Sequence, residues 1–67
     1  MVASKCSPIG LGGDIAGSLR IPAEFCGLVT LKATSQRITS GGHTVFSPSV
    51  DGQINIRGTM GPLAKSV

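Results

Sequence analysis

The chain has 67 residues, of which 40% are hydrophobic but only 3% aromatic, with no Trp or Tyr and a formal net charge of +3. A chain this short buries only about 60% of its unfolded surface, and such a core rarely supplies more than about 3–5 kcal/mol. Phe25 and Phe46 are its only large flat anchors, so the chain reads as a piece of a larger domain. The basic residues Lys5, Arg20, Lys32, Arg37, Arg57 and Lys65 are scattered, with no aromatic platform between them, which argues against a nucleic-acid face. No stretch approaches the roughly 18 apolar residues of a membrane span. The first residues lack the shape of a signal peptide, because Lys5 falls where its apolar run belongs.

In chain order, Pro8 to Gly12 alternates Ile9 and Leu11 with glycine, the period-two pattern of a closely packed strand. Gly12-Gly13-Asp14 then breaks that pattern, and Ile15 to Ser18 forms a tight loop of small residues. Pro22-Ala-Glu-Phe-Cys predicts a short helix, with Pro22 at its first position, Glu24 at its positive end and Gly27 as its stop. Leu28 to Leu31 predicts a strand. From Thr34 to Gly52 the composition is that of a loop, interrupted by a short strand at Thr44-Val45-Phe46. Ile54-Asn-Ile56 alternates like a strand. Gly61-Pro62 followed by Leu-Ala-Lys predicts the first turn of a helix.

The distinctive stretch is Gly12-Gly-Asp-Ile-Ala-Gly-Ser-Leu-Arg-Ile-Pro22. It fails as a dinucleotide fingerprint, since Ile15 stands where the last glycine belongs. It fails as a phosphate-binding P-loop, since Gly17 runs directly into Ser18 with no lysine. It also fails as the nucleophile elbow of α/β-hydrolases, whose glycine positions hold Ala16 and Arg20. The residue types nevertheless suit acyl chemistry. Small residues let backbone N–H groups converge into an anion-binding nest, and a serine at the end presents a hydroxyl to the same carbonyl. The alternative is a plain glycine turn with Ser18 as helix cap.

The run from Pro8 to Gly27 resembles the signature of the amidase family, in its fatty-acid-amide-hydrolase-like branch. That pattern is Gly-Thr/Ser-Asp-Ile-Gly-Gly-Ser, then Ile/Leu-Arg-x-Pro, Cys-Gly and Leu-Lys-Pro-Thr. The last piece stands here as Leu31-Lys32-Ala33-Thr34. Met60-Gly-Pro-Leu-Ala-Lys-Ser-Val67 is similar to the family's later Gly-Pro-Met-Ala-Arg-Ser-Val, which opens a helix. The resemblance covers nearly the whole chain in the right order.

The resemblance implies an α/β fold, a mixed sheet flanked by helices, of which residues 1–67 are a partial domain lacking its N- and C-terminal parts. It implies hydrolysis of small-molecule carboxylic amides, with fatty-acid amides as a candidate class, through an acyl-enzyme on Ser18. The backbone N–H groups of Ile15, Ala16, Gly17 and Ser18 would form the oxyanion hole. The family's lysine and second serine, which relay the proton, match no position here. Neither a cofactor nor a metal is implied, and no nucleic acid. Gly13 stands for a Thr or Ser, Ala16 for a Gly and Ala33 for a Pro, departures that leave an inactive remnant as the alternative reading.

Asp14 is a candidate for orienting the loop, against a plain Asx-type turn residue, and Arg20 for clamping the loop by pairing with a buried carboxylate, against a solvated surface arginine. His43 would need Asp14 or Asp51 beside it to join Ser-His-Asp chemistry. One His with two distant Cys has no zinc spacing. Cys6 and Cys26 read as buried thiols.

Overall fold

The computed structural model describes residues 1–43 and 55–67. Its elements are β1 (Ile9–Asp14), α1 (Arg20–Cys26), β2 (Val29–Thr30) and β3 (Thr59–Ala64). The strands form one sheet in the order β1-β3-β2, and both pairings are antiparallel. β1 and β3 pair from Ile9 opposite Ala64 to Asp14 opposite Thr59. β2 adds Val29 opposite Ala64 and Thr30 opposite Leu63. A three-stranded sheet with one helix fits a piece of an amidase domain; among the described residues no strand pair is parallel.

Side chains alternate across a strand, so the register gives the sheet two unlike faces. The inner face carries Gly10, Gly12 and Asp14 of β1 against Leu63, Gly61 and Thr59 of β3. Leu19 lies on it with 0% of its surface exposed, and Val2 and Ala23 are buried as well. Val2 covers the Gly10 end, where its Cγ2 stands 3.3 Å from the place of a Gly10 Cβ. The outer face carries Ile9, Leu11 and Gly13 against Ala64, Pro62 and Met60. There Ile9 is 57% and Leu11 76% exposed.

Several expectations need correction. β1 does not stop at Gly12; it runs through Gly13 to Asp14, because β3 supplies partners for every residue to that point. α1 starts at Arg20 rather than Pro22. Pro22 is tolerated because first-turn N–H groups have no helical acceptor. Glu24 therefore lies beyond the first turn, which holds no acidic residue. Of the strand expected over 28–31, only Val29–Thr30 pairs.

The largest difference is at Gly61-Pro62, where the expected helix is instead the middle of β3, the central strand. Proline is ordinarily kept out of central strands because it has no N–H to donate. Here Pro62 faces Leu11 of β1 and lies one residue before the positions that β2 pairs. β2 pairing ends at Thr30, opposite Leu63, so Pro62 is outside the paired stretch of β2. The Pro62 carbonyl still receives a 2.7 Å hydrogen bond from Thr30 Oγ1.

The C-terminus of α1 follows expectation. Gly27 adopts a left-handed φ of 62°, Leu28 N–H returns to the Ala23 carbonyl at 2.8 Å and Gly27 N–H to that of Glu24 at 3.4 Å. This is Schellman closure. Residues 34–43 are turns and bends. The strand expected at 44–46 lies outside the described residues, as does Ile54; Asn55 and Ile56 form a bend rather than a strand. Both cysteines are free and exposed, not buried. Cys6 sits beside the N-terminal turn, where Ser4 Oγ donates to its sulfur at 3.3 Å, and Cys26 ends α1 on its outward side.

Candidate active site

The loop from Asp14 to Arg20 leaves the end of β1 and turns directly into α1. Its organiser is the Asp14 carboxylate, buried at 1% exposure on the inner face. Oδ1 accepts from Gly17 N–H at 2.8 Å. Oδ2 accepts from Leu19 N–H at 3.1 Å and, more weakly, from Arg20 N–H at 3.5 Å. Arg20 closes over the same carboxylate, with Nε on Oδ2 and Nη2 on Oδ1, each at 3.0 Å. The guanidinium is half exposed while its partner is sealed. This is the planar two-point geometry that arginine makes with a carboxylate.

The chemistry of the pair follows. The Arg20 guanidinium holds the Asp14 carboxyl far below the usual carboxylate range, against the opposing effect of desolvation. The N–H groups of Gly17, Leu19 and Arg20 pull in the same direction. The contact in turn raises the Arg20 pKa above its ordinary value. Asp14 is thus a fixed negative charge at the opening turn of α1, where the free N–H groups of a helix favour one. It does the work of an N-cap from outside the helix.

Ser18 is therefore not the cap of α1, which has no side-chain cap hydrogen bond. Ser18 is exposed, and its hydroxyl makes no hydrogen bond among the described residues. The residues on either side of it are fixed. Gly17 is buried with a φ of 123°, and a Cβ there would meet Ile21 Cδ1 at 2.6 Å. Leu19 is fully buried. Between them Ser18 is the outward point of the bend.

The expected oxyanion donors divide. Gly17 N–H is engaged by Asp14. The N–H groups of Ile15, Ala16 and Ser18 make no hydrogen bond among the described residues. Ile15 and Ala16 are exposed.

His43 lies elsewhere. Its Nε2 stands 3.5 Å from the place of a Gly13 Cβ, beside Met60 Sδ, on the outer face. Asp14 is on the opposite face and is already saturated by Arg20 and the loop, so the two do not pair. Asp51 lies outside the described residues. Among the described residues no three His, Cys, Asp or Glu gather around a metal-sized space, and no helix is long and apolar enough to cross a membrane.

Two features escaped the sequence reading. The capping role of Asp14 was signalled only by an acidic residue shortly before a helix. The hollow that takes Leu19 is built by Gly12 and Gly61, which are distant in sequence and left no local trace.

The loop is thus a bend braced by a buried carboxylate, with an outward serine. The amidase family profile matches residues 1–67, the whole chain. The chain is 42% identical over 67 residues to pig (Sus scrofa) fatty-acid amide hydrolase 1, covering 100% of this chain and 11% of that protein. It is 43% identical over 67 residues to the vitamin D3 hydroxylase-associated protein of chicken (Gallus gallus), covering 14% of it. It is also 43% identical over 67 residues to a glutamyl-tRNA(Gln) amidotransferase polypeptide of Clostridium acetobutylicum, covering 13% of it. No solved structure matches the chain. The chain belongs to the amidase family, and it spans about a tenth to a seventh of the length of these relatives.

Proposed function

We propose that these residues form the nucleophile loop of a serine amidohydrolase acting on carboxylic amides, with fatty-acid amides as one substrate class. The observation that carries this reading is the state of Ser18: exposed, unbonded, and flanked by N–H groups that have no partner among the described residues. Ser18 Oγ attacks the amide carbonyl carbon, and the N–H groups of Ile15, Ala16 and Ser18 receive the developing oxyanion. Gly17 N–H braces the loop through Asp14 instead. Collapse of the tetrahedral intermediate releases the amine and leaves an acyl-Ser18 ester, which water then hydrolyses. Each oxyanion donor is worth about 2.7–4 kcal/mol of barrier in a comparable hole.

A serine is a weak nucleophile until a base takes its proton. In the family that base system is a lysine with a second serine, neither of which matches a residue of this chain. Catalysis is accordingly assigned to the full-length polypeptide, whose complete α/β fold would surround this sheet with further strands and helices. The second reading is an inactive remnant, favoured by Gly13 and Ala16 where the family pattern has Thr or Ser and Gly.

A fluorophosphonate probe, applied to the full-length polypeptide and separately to the 67-residue chain, tests the assignment. Labelling of the full-length polypeptide at Ser18, lost in Ser18→Ala and absent from the short chain, is expected. Labelling mapped to another serine overturns it.

A further inference from the structure

Among the described residues Ser18 has no hydrogen bond of its own to aim it, so its position depends on its neighbours. Leu19, the next residue, is the most completely buried side chain of the inner face. Its two methyls are held separately. A Cβ on Gly12 would stand 2.8 Å from Leu19 Cδ2, and a Cβ on Gly61 would stand 2.8 Å from Leu19 Cδ1. Gly12 and Gly61 face each other across the β1–β3 pairing. The missing side chains of two facing glycines thus make one hollow, and Leu19 fills it from both sides.

We propose that Gly12 and Gly61 are positioning residues for Ser18, acting through Leu19; this rests on the reading of Ser18 as nucleophile. The seat fixes the Leu19 side chain, and the Asp14 carboxylate fixes its N–H at 3.1 Å. A residue held at both its side chain and its backbone leaves the preceding residue little freedom. The hollow therefore couples β3, far along the chain, to the angle at which Ser18 meets a carbonyl. Protein interiors are close-packed and transmit such displacements rather than absorbing them. A methyl on Gly12 would press Leu19 toward the β3 backbone at Gly61, and it would also stand 3.3 Å from Leu63 Cδ1.

The test uses the full-length polypeptide and a fluorophosphonate probe, separating the maximal labelling rate, kinact, from the probe's half-saturation, KI. Gly12→Ala is expected to lower kinact at Ser18 by about ten- to hundredfold with KI unchanged, since a displacement near 1 Å is costly to a reacting atom. Leu19→Val in the same background shortens the displaced side chain and is expected to recover most of the rate, a non-additive pair. A change carried by KI, or losses that simply multiply in the double variant, overturns the proposal. Should Gly12→Ala not fold, Leu19→Ala empties the hollow without any clash and is expected to lower kinact likewise; an unchanged kinact there overturns the proposal. Labelling that survives Ser18→Ala refutes the nucleophile assignment itself, an outcome separate from failure of the positioning pair.

Discussion

The two faces of the sheet differ in how fully they are satisfied. On the inner face Leu19 fills its hollow, and every buried side-chain polar atom among the described residues has a partner. On the outer face Ile9, Leu11 and Val29 remain exposed. The contrast separates two problems that one chain must solve. The shape of the candidate site is set within a short stretch, by contacts between Asp14, Gly17, Leu19 and Arg20, with help from Gly61. The stability of the sheet that carries it is not, because among the described residues its second face is covered only in part, by the segment around His43 at Gly13 and Met60, and leaves Ile9 and Leu11 exposed. The geometry of the loop is mostly local, with one long-range contact at Gly61, and folding free energy is not.

The sharpest way to break this comparison is at Gly61. A methyl there would overlap the Leu31 carbonyl and press on Leu19 Cδ1. Backbone cannot move aside as a side-chain tip can, so Gly61→Ala is expected to cost about 3 kcal/mol, the upper end of overpacking. Urea unfolding of the full-length polypeptide measures it. A loss below half that size would mean that the inner face is looser than its contacts indicate.

Leu11→Gln probes the other face. In the short chain Leu11 is 76% exposed, so the change is expected to leave secondary structure unaltered and to reduce aggregation. In the full-length polypeptide, where further elements are proposed to cover this face, the same change is expected to cost about 2 kcal/mol, the worth of a buried leucine. Equal effects in the two contexts would remove the distinction between the faces.

How much of this was legible beforehand follows the same division. The bend at 15–18, the helix ending at Gly27 and the first part of β1 were readable because their signals are local: small residues, a left-handed stop and period-two alternation. β3 was not. Gly-Pro opening a run of Leu-Ala-Lys carries the local chemistry of a helix start, and only pairing with β1 on one side and a truncated β2 on the other makes Pro62 acceptable in a strand. The family was legible from the motif order. That Gly17 N–H is bound to Asp14 was not, since the N–H groups of Ile15, Ala16, Gly17 and Ser18 look equivalent in sequence and only the turn of the chain tells which faces inward.

Asp14 is the site of the next prediction. Its folded pKa lies below the unfolded one, so its contribution to stability is present in full above about pH 4, the ordinary carboxylate pKa, and is lost as pH falls through the folded value. Unfolding of the full-length polypeptide should thus become easier on acidification in a way that Asp14→Asn, lacking the titration, does not share. At neutral pH Asp14→Asn loses the ion pair and one set of acceptors for the loop N–H groups. A fall in Ser18 labelling of about tenfold is expected, comparable to loosening a support of a positioned group. A parallel acid response in both proteins would show that other carboxylates dominate.

The smallest effect is expected at Arg20. Lysine keeps the charge but replaces a planar fork, with Nε and Nη2 on separate carboxylate oxygens, by a single point of contact. Because the guanidinium is half exposed, water and salt already weaken its pull, and exposed ion pairs contribute little. The N–H groups of Gly17 and Leu19 continue to hold Asp14 when the fork is gone. Arg20→Lys is therefore expected to slow labelling of Ser18 by roughly twofold at low salt, with the difference shrinking as salt is raised. If Arg20→Lys instead matched Asp14→Asn in size and ignored salt, the bracing of the loop would lie in the guanidinium's shape rather than in the buried carboxylate, and the inner face would owe its order to its half-exposed rim.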